Sequence, residues 1–554
     1  MTATIQLSRD THVYIGLGAE SGNEGDAGYQ PNAALWKIPV LDGFSFSQAT
    51  ATTEVTLNEM QDASGSSNRG RAMFTNALEP AEWSFSTYAR PIFDTSNLQA
   101  SAATSPATGL QTAVEEALWA LFFGAKEYTK SASGAPAKWH IDSTVAALQD
   151  KVVTSRGQSD SGSTSTLVLG SQDSNRAELG TFDLYFVLGG CAPGANEQYY
   201  SEANGQTIYK LAGCVVNTAG IDFDIDGITT INWSGFGNTI TQLDASEPVD
   251  FKTPSEDTLG RPGTTSTTNF LRNRIASLSV VPVAQDFDGN TSTGAVAGAI
   301  QNFTVTTGLA ANALDAAVPG NYNVKVGTGS VVSSGGGAAA EFAVRVKANG
   351  SVTVSMTKAG SGFILNETIT IPGATGFLDN TNTAVNQGTQ DVVITVASTA
   401  NGISAAGDDF QDEYDLILTG GSINLENNIT FITPEELCRV NTPIGHITGA
   451  RTVSGSFTCY LNDDASSGDN KSAAFFRDLT AATGATRNKF ALAFTVGSVG
   501  TATTDQGVKF EFPTAHIDIP THQIEDVISL ETNFHGLPSS LTGADEVTIT
   551  YKGK

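Results

Sequence analysis

Basic residues are scarce: 29 Lys and Arg stand against 57 Asp and Glu, for a formal net charge of -28. A DNA duplex carries one negative charge per ~1.7 Å of axis, so this chain would repel DNA rather than grip it. Cysteine is scarce too. Cys191, Cys214, Cys438 and Cys459 have no C-x-x-C spacing and lie in stretches that read as strands or their flanks. That argues against a metal ribbon or a disulfide framework and leaves buried or half-buried thiols. No apolar run is long. "ALWALFFGA" falls short of the roughly 20 residues a bilayer demands, and "MTATIQLSRDTHVYIGLG" has neither a basic n-region nor an apolar h-region. The expectation is a chain without a membrane anchor, made in the cytoplasm. No G-x-x-x-x-G-K-[ST] phosphate loop, G-x-S-x-G elbow or H-E-x-x-H pair occurs, so no catalytic residue and no cofactor is expected.

Glycine, by contrast, is plentiful, with 57 residues, and Thr, Ser, Ala and Val are frequent while helical periodicity is rare. This is the composition of a β protein. A chain of 554 residues is long enough for two or three domains, each with its own core.

One order of elements occurs twice. A strand pair, "WKIPVLDGFSFSQATATTEVT" and "AEWSFSTYARP", is followed by a helix, "VEEALWALFFGA", a strand, "TFDLYFVLGG", and a tryptophan-containing stretch, "IDFDIDGITTINWSGFG". Later come "YDLILTGGSINLENNITFI" and "ARTVSGSFTCYL", a helix, "SAAFFRDLTAA", a strand, "KFALAFTVG", and "VKFEFPTAHIDIPTHQIEDVISLETNFHGLP". The match in element type and spacing indicates a duplicated unit. In the first helix Val114, Leu118, Leu121 and Phe122 share a face, Glu115 and Glu116 favour the N-terminal dipole, and Gly124 marks the end. In the second, Phe475, Phe476 and Leu479 form a shorter stripe that should cover a sheet.

Between the copies, residues 284–400 have a different character, with seven acidic and four basic residues. "FAVRVKANGSVTVSM" alternates around Asn349-Gly350, a dipeptide suited to a two-residue hairpin turn. "ETITIPG" and "DVVITVAS" add strands. This reads as an independent β module inserted after "RIASLSVV", projecting outward. The expected fold is therefore mainly β: two tandem β-sandwich or barrel-like domains, each with one packed helix, plus a small inserted β domain. The boundaries are 1–283 for the first domain, with an N-terminal arm and a long loop at 53–80; 284–400 for the insert; and 401–554 for the second, whose first strand lies at 272–283.

The stretch "IDFDIDG" could be read as a calcium loop. Asp222, Asp224, Asp226 and Gly227 fit its positions 1, 3, 5 and 6, but position 12, which should be a bidentate glutamate, is Trp233. Ile221, Phe223 and Ile225 occupy the alternate positions, the signature of a strand with one dry and one wet face. The strand reading is preferred, with three aspartates turned to water. In "AHIDIPTHQIED" a metal site of His516, Asp518 and His522 is conceivable, but exposed polar residues on a strand ended by Pro520 are the preferred reading, and no metal site is expected.

Taken together, "IPVLDGFSFSQATATTEVTLNEM", "RGRAMFTNALEPAEWSFSTYARP", "FDIDGITTINWSGFG", "LTGGSINLENNITFITPEELCRVNTPIGHITGARTVSGSFTCYLN" and "FPTAHIDIPTHQIEDVISLETNFHGLP" resemble the major tail tube proteins of long-tailed bacteriophages. The resemblance covers roughly 30–283 and 401–554. It implies a structural virion protein of the tail, whose β domains form six-membered rings stacked into a conduit for DNA delivery. With the domain duplicated, three chains would make a pseudo-hexameric ring. It also implies tape measure, tail terminator and distal tail proteins as partners, and DNA passing through the lumen without specific binding. Pairing strands between subunits would remove exposed sheet edges, and an acidic wall would confine DNA without holding it. Asp222, Asp224 and Asp226 are the leading lumen candidates, although their wet face could equally turn to the tube exterior. The segment 53–80, with Glu54, Asn58, Glu59, Asp62, Arg69 and Arg71, exceeds an ordinary turn and is the candidate inter-ring loop. A capsid or head-decoration protein is the alternative. A carbohydrate-binding adhesin fits less well, since clustered aromatics and paired carboxylates are not evident.

Overall fold

A computed structural model describes residues 10–18, 34–55, 63–66, 72–94, 110–129, 138–141, 152–156, 166–170, 179–189, 198–199, 206–243, 249–251, 269–282, 299–305, 314–327, 330–335, 337–358, 360–379, 383–400, 414–436, 440–462, 471–480, 489–500, 505–524, 527–538 and 545–554. The chain is mainly β, and its sheets do not close into a barrel among the described strands.

In the N-terminal half the elements are β1 (His12–Leu17), β2 (Ala34–Ile38), β3 (Ser45–Ser47), β4 (Thr50–Val55), β5 (Ala72–Leu78), β6 (Ala81–Tyr88), helix α1 (Glu116–Phe122), β7 (Phe182–Leu188), β8 (Thr207–Phe223), β9 (Thr230–Gly237) and β10 (Thr239–Leu243). β11 (Ala276–Pro282) precedes the segment 284–400. After it come β12 (Tyr414–Asp415), β13 (Leu418–Glu426), β14 (Ile429–Ile432), β15 (Gly445–Thr448), β16 (Thr452–Tyr460), helix α2 (Ser472–Thr480), β17 (Phe490–Gly497), β18 (Gly507–Ile517), β19 (Thr521–Ile524), β20 (Ile528–Gly536) and β21 (Thr548–Lys552). Further short strands are not labelled.

The pairings occur in the same order in both halves. β2-β1-β7-β8-β10 forms one sheet, and β12-β11-β17-β18-β21 its counterpart. β3-β6-β9-β8 and β13-β16-β20-β18 form a second such pair. β8 serves both sheets of its half. Its first part lies between β7 and β10, and its last part runs beside β9. The change of sheet coincides with Gly213 at φ 61°, whose N–H goes to Asp183 Oδ1 at 3.1 Å, and with a bulge between Val216 and Thr218. Positive φ suits glycine and bulges turn strands, so these residues make the corner. β18 likewise leaves β17 and joins β20 at Ala515.

One continuous core, from Val13 to Tyr551, draws on both halves. α1 sits in it and is buried on every side, Glu115 and Glu116 included. The sequence shows one apolar face and two carboxylates at the N-terminal end, whereas in the fold the remaining faces and both carboxylates are buried as well. Trp119 packs edge-on against Trp233 at 4.6 Å and donates through Nε1 to the Tyr551 hydroxyl at 2.8 Å, while Glu116 accepts from Trp139 Nε1 at 2.8 Å. Gly124, at φ 95°, follows the helix as expected. In α2, Phe475 and Leu479 are buried and Phe476 packs at the core margin.

The segment 53–80 is not one irregular loop. β4 and β5 form a hairpin, with Glu54 opposite Met73, in keeping with the β-branched run Thr52, Thr53 and Val55. Of the residues proposed for inter-ring contact, Glu54 is exposed on β4. Asn58, Glu59, Asp62, Arg69 and Arg71 lie outside the described residues, as do Cys191 and Cys438. Cys214 and Cys459 are buried free thiols, and burial pushes the Cys459 thiol up to about 12.

Within 284–400 a four-stranded and a three-stranded sheet enclose a separate core running from Ile300 to Val396. β11, which precedes this segment, pairs with β17 and β12, which follow it. The Asn349-Gly350 turn is one residue longer than expected. Lys347 and Ser351 close it, with Lys347 N–H donating to Ser351 O at 2.9 Å, and Gly350 takes φ 77°. A three-residue loop ending in a left-handed glycine matches strand twist through a bulge.

Burial pushes the Glu115 carboxyl up to about 7, against the pull of the Tyr551 hydrogen bond, its own and the Arg90 amide, and the Arg90 charge. The folded value lies above the unfolded value near 4.5, so the folded chain keeps a proton that the unfolded chain loses. Stability should therefore fall as pH rises from about 4.5 to about 7 and level off above, by on the order of 3 kcal/mol from this group. Urea melts of wild type and Glu115→Gln at pH 5 and pH 8 should show a smaller pH-dependent loss in the variant. Equal losses would remove Glu115 as the cause.

Candidate functional site

The two halves meet along one seam. β8 pairs antiparallel with β13, Ala219 opposite Leu425, Gly220 opposite Asn424 and Ile221 opposite Ile423. The seam makes β3-β6-β9-β8-β13-β16-β20-β18 a single sheet. Period-2 alternation gives it two unlike faces. Trp83, Phe85, Ile231, Trp233, Ala219, Ile221, Ile423, Leu425, Val453, Phe457, Leu530 and Phe534 all point into the core.

The other face is rich in small hydroxyls and amides that bond across strands, with Tyr88, Phe236 and Tyr460 as its larger members. Ser45 Oγ meets Ser84 Oγ at 2.8 Å, Ser86 Oγ donates to Asn232 Oδ1 at 2.7 Å, Thr218 Oγ1 meets Ser234 Oγ at 2.6 Å, and Ser422 Oγ meets Ser456 Oγ at 3.0 Å. None of the residues that these eight strands place in the sheet, from 45–47, 81–88, 218–223, 230–237, 418–426, 452–460, 515–517 and 528–536, is a lysine or an arginine. Its charged members are carboxylates, among them Glu82, Asp222, Glu426 and Glu531. Such a surface can stay hydrated beside a polyanion without offering phosphate a cationic partner.

The three aspartates do not form a row on one strand. Asp222 lies on the wet face, with Asn232 Nδ2 at 3.5 Å. The strand then ends at Phe223, and Asp224 and Asp226 belong to the turn into β9, closed by Gly227 N–H to Asp224 O at 3.3 Å. Ile225, expected inside, is 44% exposed. The cause is the pairing of Asp222 with Thr230: the chain must reverse between them, and Asn273, through its N–H to Gly227 O at 3.0 Å and its Oδ1 accepting from Thr229 at 2.7 Å, fixes that reversal. Among the described residues no cluster of His, Cys, Asp or Glu is arranged to hold a metal. His516 and Asp518 stand 3.9 Å apart at the sheet margin, and His522 packs edge-on against Phe476 at 4.5 Å.

Sequence reasoning missed the serine and threonine face. Its signal was available in the alternating hydroxyls of "GFSFS", "EWSFSTY" and "TVSGSFT".

A mainly β chain whose broad sheet has an apolar core on one side and an uncharged-to-acidic surface on the other has the form of a structural wall. No family model matches the chain. It is similar to the tail tube protein pb6 of Escherichia phage T5, with 34% identity over 146 residues, covering 26% of this chain and 30% of that protein. The matched segment is thus under a third of the relative's length. The similarity agrees with the tail tube resemblance of the sequence. Among the described residues no helix is long and apolar enough to cross a membrane.

The two faces should respond differently to substitution. A Cβ on Gly235 would stand 2.0 Å from Val215 O and 2.5 Å from Trp83, so Gly235→Ala should destabilise by about 1–3 kcal/mol. Ser456→Ala on the wet face should stay within about 0.5 kcal/mol of wild type. Denaturant midpoints measure both, and equal costs would count against the two-faced sheet. Because Asp222, Asp224 and Asp226 do not encircle a point, chelation should leave the melting temperature unchanged; a shift of several degrees would restore the calcium reading.

Proposed function

We propose that the chain is a tail tube protein, a structural rather than catalytic component of a phage tail, and that the wet face of the shared sheet lines the channel through which DNA passes. The observation that carries this reading is a continuous sheet face devoid of Lys and Arg. Duplex passing such a wall would meet carboxylates and hydroxyls, which confine it without the phosphate contacts that would hold it in place. The repeated pairing order supports two copies of one tube domain per chain, so three chains would supply a six-fold wall. The insert at 284–400, with its own core, suits an outward accessory domain.

Asp222 lies within this wall, and Asp224 and Asp226 at its rim. Stacking of rings is assigned to the hairpins beside the sheet. β4–β5 exposes Met73 and Phe74 at 58% and 55%, and β14–β15 exposes Ile447. The two hairpin regions touch through Leu78 N–H to Asn441 O at 2.8 Å and Asn441 N–H to Asn76 O at 3.1 Å, which would present one joint surface to the next ring. Tape measure, terminator and distal tail proteins are the partners this role implies.

Electron microscopy of the purified chain should reveal rings or tubes; closed shells would favour a capsid role instead. A variant with Ser86, Asp222 and Ser456 changed to Lys should still assemble, because all three positions face water. Virions carrying it should eject DNA more slowly, and added salt, which screens the new phosphate contacts, should relieve the defect. Wild-type ejection from well-formed tubes would put this face on the outside.

A further inference from the structure

One sheet face in the segment 284–400 departs from the charge of the rest of the chain. The segment contains four cations, Lys325, Arg345, Lys347 and Lys358. All four belong to its three-stranded sheet, made of Gly320–Lys325, Glu341–Val346 and Val352–Lys358, or to the turn after the middle strand. Glu341 is the one acidic residue on these strands. Alternation turns Tyr322, Val324, Phe342 and Val344 into the core and sets three rows on the opposite face. The rows are Asn321, Arg345 and Thr353; Asn323, Ala343 and Ser355; and Lys325, Glu341 and Lys358. Simple alternation would send Lys358 to the dry side with Val354 and Met356. A bulge at Thr357 prevents this, because the register steps from Phe342 opposite Met356 to Glu341 opposite Lys358, and a bulge re-aims the side chain that follows it. Lys325 Nζ then lies 3.3 Å, and Lys358 Nζ 3.9 Å, from Glu341 Oε1.

The face thus sets four cations against one carboxylate, on a chain of formal charge -28. Arg345 and Lys347 are exposed, and neither side chain has an ion-pair partner among the described residues. The middle row is low. Asn323, Ala343 and Ser355 leave a trough between Arg345 and the lysine pair, rows that stand about 14 Å apart at ~3.4 Å per residue. At the lysine end the trough meets a cleft of about 730 Å³ lined by Lys325, Glu341, Phe342, Thr357, Thr375 and Leu378, a volume typical of small-molecule sites. The backbone contributes as well. Asn323 donates to Leu378 O at 2.9 Å and accepts from Leu378 N–H at 3.2 Å, whereas Val326 N–H returns to Ala340 O at 2.8 Å. Backbone direction alternates along a strand, so the N–H and C=O of Lys325 point out of the sheet edge, where the cleft lies.

We propose that this face and its cleft bind an acidic polysaccharide. The cations meet its carboxylates, Arg345 through a planar fork that suits them. The amides and hydroxyls of Asn321, Asn323, Thr353 and Ser355 meet its hydroxyl groups, and the cleft takes one sugar unit at the lysine end. Other occupants fit less well. A stable protein interface has an apolar core with aromatic anchors, and Ala343 is the one apolar residue in the three rows. Single strands of nucleic acid stack on aromatic side chains, and the three rows hold none. The inference goes beyond the tube reading and does not depend on it.

Biolayer interferometry of the full chain on immobilised polygalacturonate should show binding at low salt that weakens as added salt screens the contacts. Neutral dextran and polyglutamate should bind at least tenfold more weakly, since the first lacks the charge and the second the hydroxyl groups. Arg345→Ala combined with Lys347→Ala removes two cations without breaking an ion pair, so the melting temperature should hold while polygalacturonate affinity falls at least tenfold. Thr357→Trp, at an exposed position on the cleft wall, should block the cleft and lower affinity at least threefold. Arg274→Ala, an exposed cation outside the segment, should change nothing. Absence of binding to polygalacturonate, equal binding of polyglutamate, or unchanged binding by the double variant overturns the assignment. Self-association of the full chain that the double variant abolishes in sedimentation also overturns it, and gives the face to a second copy.

Discussion

The shared core of the two halves depends on the pairing of β8 with β13. Without it each half would have a small open sheet with an apolar face only partly covered. With it the dry faces join and one core draws on both halves. Side chains strengthen the junction from within the core. Asn427 donates to Phe122 O and Val216 O, both at 3.1 Å, and accepts from Arg451 Nε at 3.3 Å, while the Arg451 guanidinium stacks 5.6 Å from the rings of Phe122 and Phe123 and pairs with Glu546 at 3.4 Å. These contacts tie the end of α1 to the second half. A buried amide with three partners gains little over water, but loss of its donors would strand each carbonyl at about 1–3 kcal/mol, so the junction is specific as well as apolar.

The same pairing sets the chemistry of the wet face. A flat run of large polar side chains would have to be ordered at an entropic cost of up to about 2 kcal/mol each. Serine, threonine and asparagine cost less and can satisfy one another across strands, as Ser45 with Ser84 and Ser422 with Ser456 do. Small side chains also leave room in front of the sheet. The low ordering cost and the lack of cations thus come from one choice of residue type.

The parts of the fold governed by local rules could be read in the sequence. Alternation in "AEWSFSTY" and "TINWSGFG" marks strands with one buried face, and the apolar stripe of α2 marks a helix on a sheet. What could not be read depends on partners far along the chain. The aspartates at 222, 224 and 226 alternate with apolar residues as a strand would, but the pairing of Asp222 with Thr230 and the buried hydrogen bonds of Asn273 turn the chain early. α1 displays a stripe and two leading carboxylates, and its burial on all sides depends on residues such as Trp139, Tyr551 and Asn427 that sequence spacing does not bring near. The hairpin at 50–78 was hidden because its apolar residues Met73 and Phe74 face water and give no alternating dry face.

That last exception bears on assembly. A monomer gains nothing from exposing Met73, Phe74 and Ile447, since scattered exposed apolar residues are ordinary but two hairpins carrying them together are not. The hairpins lie beside the sheet and present side chains, so they suit a contact made by packing. Packing tolerates slight changes of angle, whereas strand register does not, because a slip of one residue would exchange the dry and wet faces.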